Sequence, residues 1–362
     1  MKNFIAPLAC LAFTSIFAAP AETKPNSCEP FNPTCREVMV EVFGELLYLQ
    51  PNGSSLYYAA EAIPLDPTIN IPALSPNWNI YEVRPDYAPA FRIGATLLFS
   101  DLNTQLTANW ERLHTNDSAS HTVPLSTDMI GPLYDIGPNS FAYQNGKGTA
   151  KFEFDSVDLV FGQQFCAFKR LYPNFYAGAN FSRIKQSQTA TFKNTAGNII
   201  RTIDNYSTFT GAGPKFGVDF DYRIVWGFFF SGSSSIGLIV GESQNGTTFK
   251  SSSPFLVTNN IPEPNTQNTY VPNRTQAIPT FEERLGFSFA GVYDCWKIRF
   301  GFGYQAQVYI DAVQSIDMTA PQVIPSLAPG ATVESGEYAV GFDRTLSNFI
   351  LTGPYVNLGL DF

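Results

Sequence analysis

The chain has 362 residues, a formal net charge of −9, and as many aromatic as charged residues, 15% of each, with 32 Phe. Average soluble chains carry about 25% charged residues, so an ordinary soluble enzyme is a poor match, and an acidic chain without a basic stripe is a poor nucleic-acid binder. Mean hydropathy is nonetheless close to neutral, as expected where apolar and small polar residues interleave on strands that meet lipid on one face and water on the other.

At the N-terminus, Lys2 supplies a short basic segment and Phe4 to Phe17 forms an uncharged apolar stretch, followed by small residues at Ala19-Pro20-Ala21. This pattern predicts a signal peptide over 1–21, cut near Ala19 or Ala21. A spanning helix needs about 20 apolar residues, more than this run provides. Cys10 falls inside the stretch, but Pro7 stands where a lipoprotein site wants an aliphatic residue. Residues 22–37 are expected as a periplasmic segment ahead of a membrane domain over 38–362. The longest later apolar run, Ile224 to Val240, is broken by Gly227, Gly232, Gly237 and several serines. Only a closed barrel then satisfies the backbone in a bilayer.

Alternation of period two marks the strands. Runs occur at Val38–Gln50, Pro89–Ser100, 102–113, Ala150–Phe165, Asn174–Ser187, Tyr206–Asp221, Ile224–Gly241, Thr280–Val292, 297–311 and Ser347–Phe362. In the Ala150 run Phe152 and Phe154 take one parity and Val157, Leu159 and Phe161 the other, which predicts a bulge near Asp155 and Ser156. The connections alternate in length. Segments 51–88, 114–149, 188–205, 242–279 and 312–346 are long and polar, whereas the joins at Ser100-Asp101, Cys166–Pro173, Tyr222-Arg223 and Tyr293–Trp296 are short. Short periplasmic turns and long extracellular loops distinguish outer-membrane barrels. The expected fold is an all-β, transmembrane antiparallel barrel of about ten strands. Further hairpins, for instance at Phe141–Gln144, extend the range to 10–16.

In the final run Pro354, Val356, Leu358, Leu360 and Phe362 share a face, opposite Tyr355, Asn357, Gly359 and Asp361. An aromatic end on such a strand resembles the C-terminal signal read by the bacterial barrel-insertion machinery, an expected partner alongside outer-membrane lipid. Tyr355, Leu358, Leu360 and Phe362 are the candidate signal residues.

Five segments resemble the major outer membrane protein porins of the Legionella and chlamydia-related type. They are GELLYLQP (Gly44–Pro51), AFRIGATLLFSDLNTQLTANWERLHT (Ala90–Thr115), GAGPKFGVDFDY (Gly211–Tyr222), FGYQAQVYID (Phe302–Asp311) and GPYVNLGLDF (Gly353–Phe362). The match covers most of the barrel and not its long loops, and Leu49 and Gln50 replace a tryptophan often found after the first-strand tyrosine. The resemblance implies a general diffusion porin integral to the outer membrane, a homo-trimer and an abundant surface protein. It supplies no catalytic residue.

Outside the signal stretch lie Cys28, Cys35, Cys166 and Cys295, all on the periplasmic side of this topology. An exported chain permits disulfides. A Cys28–Cys35 loop and intermolecular links to other envelope proteins, as in the disulfide-linked layer of chlamydial envelopes, are both open. Four thiols without a neighbouring His lack a compact metal spacing. His114 and His121, with Asp117 and Asp128, read as polar residues of a solvated loop, and no serine partner marks them as a hydrolytic pair.

Inward-facing charges set ion preference in a pore. Parity places Arg92, Glu111, Lys215, Asp219, Glu282, Arg284, Lys297 and Arg299 inward as pore-lining candidates, with Asp221 and Asp361. Five cations against five carboxylates predict no strong selectivity. Gly301 and Gly303 leave room for an inward-folded loop or relieve crowding in a curved strand. Trp110, Tyr222, Trp226, Trp296 and Tyr304 fall outward, as an interfacial girdle requires. The expected function is passive diffusion of small hydrophilic solutes and ions, with no cofactor, metal or catalysis. The alternative is a structural or adhesive surface barrel with a plugged lumen, disulfide-linked to the envelope.

Overall fold

The computed structural model describes residues 38–53, 56–63, 77–99, 103–123, 129–132, 143–165, 170–194, 196–225, 227–251, 266–293, 296–319 and 341–362. The expected signal peptide over 1–21, the expected periplasmic segment over 22–37 and all five cysteines lie outside them. The strands in chain order are β1 (Val38–Gly53), β2 (Tyr57–Ile63), β3 (Asn77–Glu82), β4 (Ala88–Phe99), β5 (Thr104–Thr122), β6 (Met129–Gly131), β7 (Asn145–Gln164), β8 (Leu171–Lys193), β9 (Ile199–Val225), β10 (Phe228–Ser251), β11 (Thr266–Tyr293), β12 (Trp296–Thr319) and β13 (Gly341–Asp361). None of the described residues is helical.

Ten strands form a closed antiparallel barrel in the order β1-β13-β12-β11-β10-β9-β8-β7-β5-β4. The ten alternating runs of the sequence are these ten strands. Closure joins Glu41 to Asp361 and Leu47 to Tyr355 across the β1/β13 seam, so the wall has no free edge. Leu46, Leu159, Phe216, Leu285 and Leu358 point outward and are 53–75% exposed, whereas the inward Leu49 and Phe152 are fully buried. A continuous apolar belt of this kind is what a membrane barrel presents to lipid.

Four expectations change. First, the strands are longer than their apolar faces: β9, β10 and β11 have 27, 24 and 28 residues, while about 9–11 span a bilayer. Much of 114–149, 188–205, 242–279 and 312–346 is therefore strand above the belt. Exposed Glu242, Gln244 and Lys250 show why the apolar pattern stops there while the hydrogen-bond ladder continues. Second, no bulge occurs at Asp155 and Ser156. Both pairings of β7 run unbroken through them; Phe152 and Phe154 simply face inward while Val157, Leu159 and Phe161 face out. Third, β9 runs on past Tyr222-Arg223 to Val225, and β10 starts at Phe228. Gly227 takes the positive φ (+74°) that the reversal needs. Fourth, β2, β3 and β6 add no strands to the wall. They form a separate sheet in the order β3-β2-β6, joined by a bridge between Ile130 and Tyr143.

That small sheet sits over the barrel end opposite Val38 and Phe362. Tyr58, Ala59 and Ile130 are buried in one apolar cluster with Phe192 and with residues deeper in the lumen. Gly148 of the wall lies directly against Tyr58 and Val83, and a Cβ there would stand 2.5 Å from the tyrosine ring. The absence of a side chain at Gly148 is what lets the cap seat.

Candidate functional site

Alternation sends every second residue of the ten barrel strands into the lumen. Eight strands make a barrel just wide enough for its own side chains to fill, so at ten strands long side chains reach one another across the interior. Here they do, in stacked tiers.

The lower tier is ionic. Arg92 of β4 donates to Glu111 Oε2 of β5 from Nε (3.0 Å) and Nη2 (2.5 Å), and from Nη2 to Glu282 Oε1 of β11 (2.6 Å). Its Nη1 lies 3.6 Å from Glu45 of β1, which Arg284 of β11 also engages at 2.8 Å. Lys215 of β9 bridges Glu282 and Asp158 of β7, both at 2.8 Å. Asn180 of β8 donates to Asp158 at 2.5 Å, and Gln307 and Gln305 of β12 donate to Glu111 at 2.8 and 3.4 Å. The Arg284 guanidinium stands 4.3 Å over the ring of Tyr355 on β13. Four carboxylates thus face three cations in one network that crosses the barrel, since β4 and β11 lie almost opposite in the wall. Buried charges require such partners, because their desolvation is otherwise uncompensated.

Above it lies an apolar tier. Phe152, Phe154, Ile184, Phe209, Ile239, Ile278, Phe349, Leu351 and Leu49 are at most 1% exposed. Phe154 of β7 meets Tyr309 of the opposite strand β12 at 5.5 Å and Phe349 of β13 at 5.8 Å between ring centroids. The rings therefore touch across the full width of the lumen, and the cap sheet continues the same cluster upward. Below the ionic tier is a polar vestibule of about 280 Å³, lined by residues such as Glu41, Asn174, Asp219 and Arg299 and roofed by Arg92, Lys215 and Glu282.

A family model described as Legionella pneumophila major outer membrane protein precursor matches residues 32–362. The chain belongs to that family. No curated protein matches it. Among solved structures it is similar to the outer membrane protease OmpT from Escherichia coli, at 10% identity over 92% of this chain and 97% of that one, with a TM-score of 0.40. It is also similar to the TodX deltaS2S3 mutant monoaromatic hydrocarbon channel (6% identity, 91% and 92% covered, TM-score 0.29). A Pseudomonas aeruginosa FadL homologue matches at 7% identity, with 93% and 95% covered and a TM-score of 0.24. At these scores none bears on what this barrel does.

This member of the Legionella major outer membrane protein family is thus an integral outer-membrane β-barrel. Parity located its inward charges, and the fold divides them by depth. Arg92, Glu111, Lys215, Glu282 and Arg284 form the ionic tier. Asp219 accepts from Asn174 at 3.1 Å in the vestibule wall. Lys297 pairs with Asp361 (3.4 Å) and Arg299 with Asp221 (3.7 Å) at the periplasmic rim. Two members of the network escaped the sequence reading. Glu45 sits in a run that is apolar on both faces, and Asp158 sits where the alternation seemed to slip. Counting strictly from outward Val157 and Leu159 places Asp158 inward.

Among the described residues, the space beside Gly301 and Gly303 is taken by neighbouring atoms of the wall. A Cβ on Gly303 would stand 2.7 Å from the Tyr355 hydroxyl, and one on Gly301 would meet the Asn357 amide oxygen. His114 and His121 lie on β5 itself, which runs on to Thr122, so they are not loop residues. His121 stacks on Tyr81 at 4.0 Å and lies 3.6 Å from buried Glu61 of the cap, which also accepts from the Tyr81 hydroxyl. Among the described residues no group of three or more His, Cys, Asp or Glu is placed to hold a metal. Of the C-terminal residues, Leu358 and Phe362 are outward and exposed, Leu360 shares their parity, and Tyr355 is inward and buried. Phe362 exchanges backbone hydrogen bonds with Val40 (3.0 and 3.1 Å) and packs on Trp296 at 5.7 Å. Tyr222, Trp296 and Tyr304 are exposed on the outer face, as parity requires.

Proposed function

We propose that this barrel is a structural surface protein whose lumen is held shut, in preference to a diffusion pore. The observation that carries the reading is the ring contact of Phe154 with Tyr309 and Phe349, which closes the lumen from wall to opposite wall above the ionic tier. Passive diffusion needs a continuous water path, and an apolar constriction this narrow excludes water and ions by dewetting. Strands that continue above the lipid belt and carry a packed cap support a role in display or adhesion at the cell surface. The reading involves no catalysis, because its working parts are packing and charge pairing.

Planar-bilayer recording on purified, folded protein tests it. The wild type is expected to give no regular conductance steps. Replacing Phe154, Tyr309 and Phe349 together by Ala removes the constriction and is expected to produce them. Reproducible steps from the folded wild type would overturn the shut-lumen reading and restore the pore. Links through Cys28, Cys35, Cys166 and Cys295 to envelope proteins belong to the same proposal. Non-reducing electrophoresis of whole envelopes tests them, and monomers alone would count against them.

A further inference from the structure

We propose that the outer wall of β5, β7 and β8, just above the apolar belt, holds the phosphorylated headgroup of a lipid of the outer leaflet. Outward residues alternate with inward ones along these strands, and register sets them in rows. Trp110, Val157 and Phe181 make one row. Exposed Val157, Leu159, Phe161 and Phe165 carry the belt on β7, over about the 9–11 residues that cross a bilayer. The next row away from the periplasmic end is Arg112, Asp155 and Arg183, and the row after it is His114, Glu153 and Lys185. Lys151 stands outward one row further along β7. The change from apolar to ionic is complete within one row. It falls where hydrocarbon gives way to headgroups.

This face is cationic in a chain of net charge −9. Asp155 lies 3.8 Å from Arg112, and Glu153 lies 3.2 Å from Lys185, so each carboxylate already has a cation. Arg183 and Lys151 are exposed and make no ion pair among the described residues. The positive excess therefore rests on side chains that are open to a ligand. Register continues the two ionic rows through Thr210 and Thr208 on β9 and through Glu242 and Gln244 on β10, where the cations stop. The patch spans three strands, about 10 Å from β5 to β8, which is the scale of one headgroup and not of a ring round the barrel. A free anion or an acidic protein segment would use the cations alone. A phosphorylated lipid uses both parts of the wall, with acyl chains on Val157, Leu159 and Phe181 and phosphate against the cations above them. Arg183 offers a planar fork for two phosphate oxygens, and Lys151 a compact charge.

The test uses the full chain refolded in neutral detergent micelles, with a chelator present so that no divalent ion bridges carboxylate to phosphate. Lipid A, an acylated glucosamine bisphosphate, is the probe, and native mass spectrometry reads what stays bound. The wild type is expected to retain lipid A. Arg183→Gln combined with Lys151→Gln is expected to weaken retention by about tenfold or more, with heat-modifiable gel mobility, the sign of a folded barrel, unchanged. Lys250→Gln, which removes an exposed cation on β10, is expected to leave retention as it is. Lipid A stripped of its phosphates is expected not to be held. Equal retention by the folded double variant, equal retention of the dephosphorylated lipid, or displacement by millimolar inorganic phosphate would each overturn the proposal, the last by making this a site for free anions. If the double variant does not fold, Arg183→Gln alone decides it.

Discussion

Replacing Arg92 by Met removes the one cation shared by Glu45, Glu111 and Glu282 while keeping much of its length. The four groups have side chains 7, 4, 3 and 15% exposed, so water does not screen the change. At the 2.5 Å separation of Arg92 and Glu111, an effective dielectric of about 20 gives several kcal/mol of attraction. Part of that gain offsets desolvation, and breaking one side of a buried pair typically costs about 3–5 kcal/mol. Glu111 supplies the sharper arm, because its other partners, Gln305 and Gln307, are neutral. Glu111→Gln should destabilise the wild type by about 1–3 kcal/mol, the range for losing a charged hydrogen-bond partner. In the Arg92→Met background the same change removes an uncompensated carboxylate and should be neutral or stabilising. Urea unfolding of the refolded barrel in detergent micelles, followed by tryptophan fluorescence, measures all four corners. An Arg92→Met effect within about 0.5 kcal/mol of zero, the range of ordinary surface substitutions, or an equal Glu111→Gln penalty in both backgrounds, would refute the cross-brace.

Three further outcomes are expected. Phe154→Ala should cost about 3–5 kcal/mol, read by the same unfolding assay, because its ring is fully buried between Tyr309 and Phe349. Gly148→Val places a side chain where Tyr58 and Val83 pack; limited proteolysis should then cut the cap segment quickly while the barrel stays folded, and Tyr58→Ala should partly restore the room. Deleting Phe362 removes the partner of Val40 at the seam and of Trp296 on the outer face. The folded fraction recovered in outer membranes should fall several-fold, with little change when Tyr355, which faces the lumen, is replaced by Phe.

Period-two alternation was enough to read the ten wall strands, the outward face of each, and the inward parity of Arg92, Glu111, Lys215, Glu282 and Arg284. These are local properties, because a strand's side chains change face at every residue whatever surrounds it. The same rule failed where it was joined to an assumption that the inner face meets water. Phe152 and Phe154 then looked like a slip in phase, and the bulge invoked for them does not exist. Strand ends were missed for a related reason: apolar alternation records where lipid stops, whereas strand pairing continues to Ser251 and from Thr266.

What stands opposite an inward residue is not encoded in its neighbours. Arg92 and Glu282 are 190 positions apart, and Phe154 meets Tyr309 only because β7 and β12 are set across from each other when ten strands close. The sequence by itself determined a membrane barrel and the period-two alternation of its ten wall strands. The tertiary structure decided which inward side chains meet, because a circumference of ten strands is short enough for Arg, Glu and Phe to reach one another across the middle.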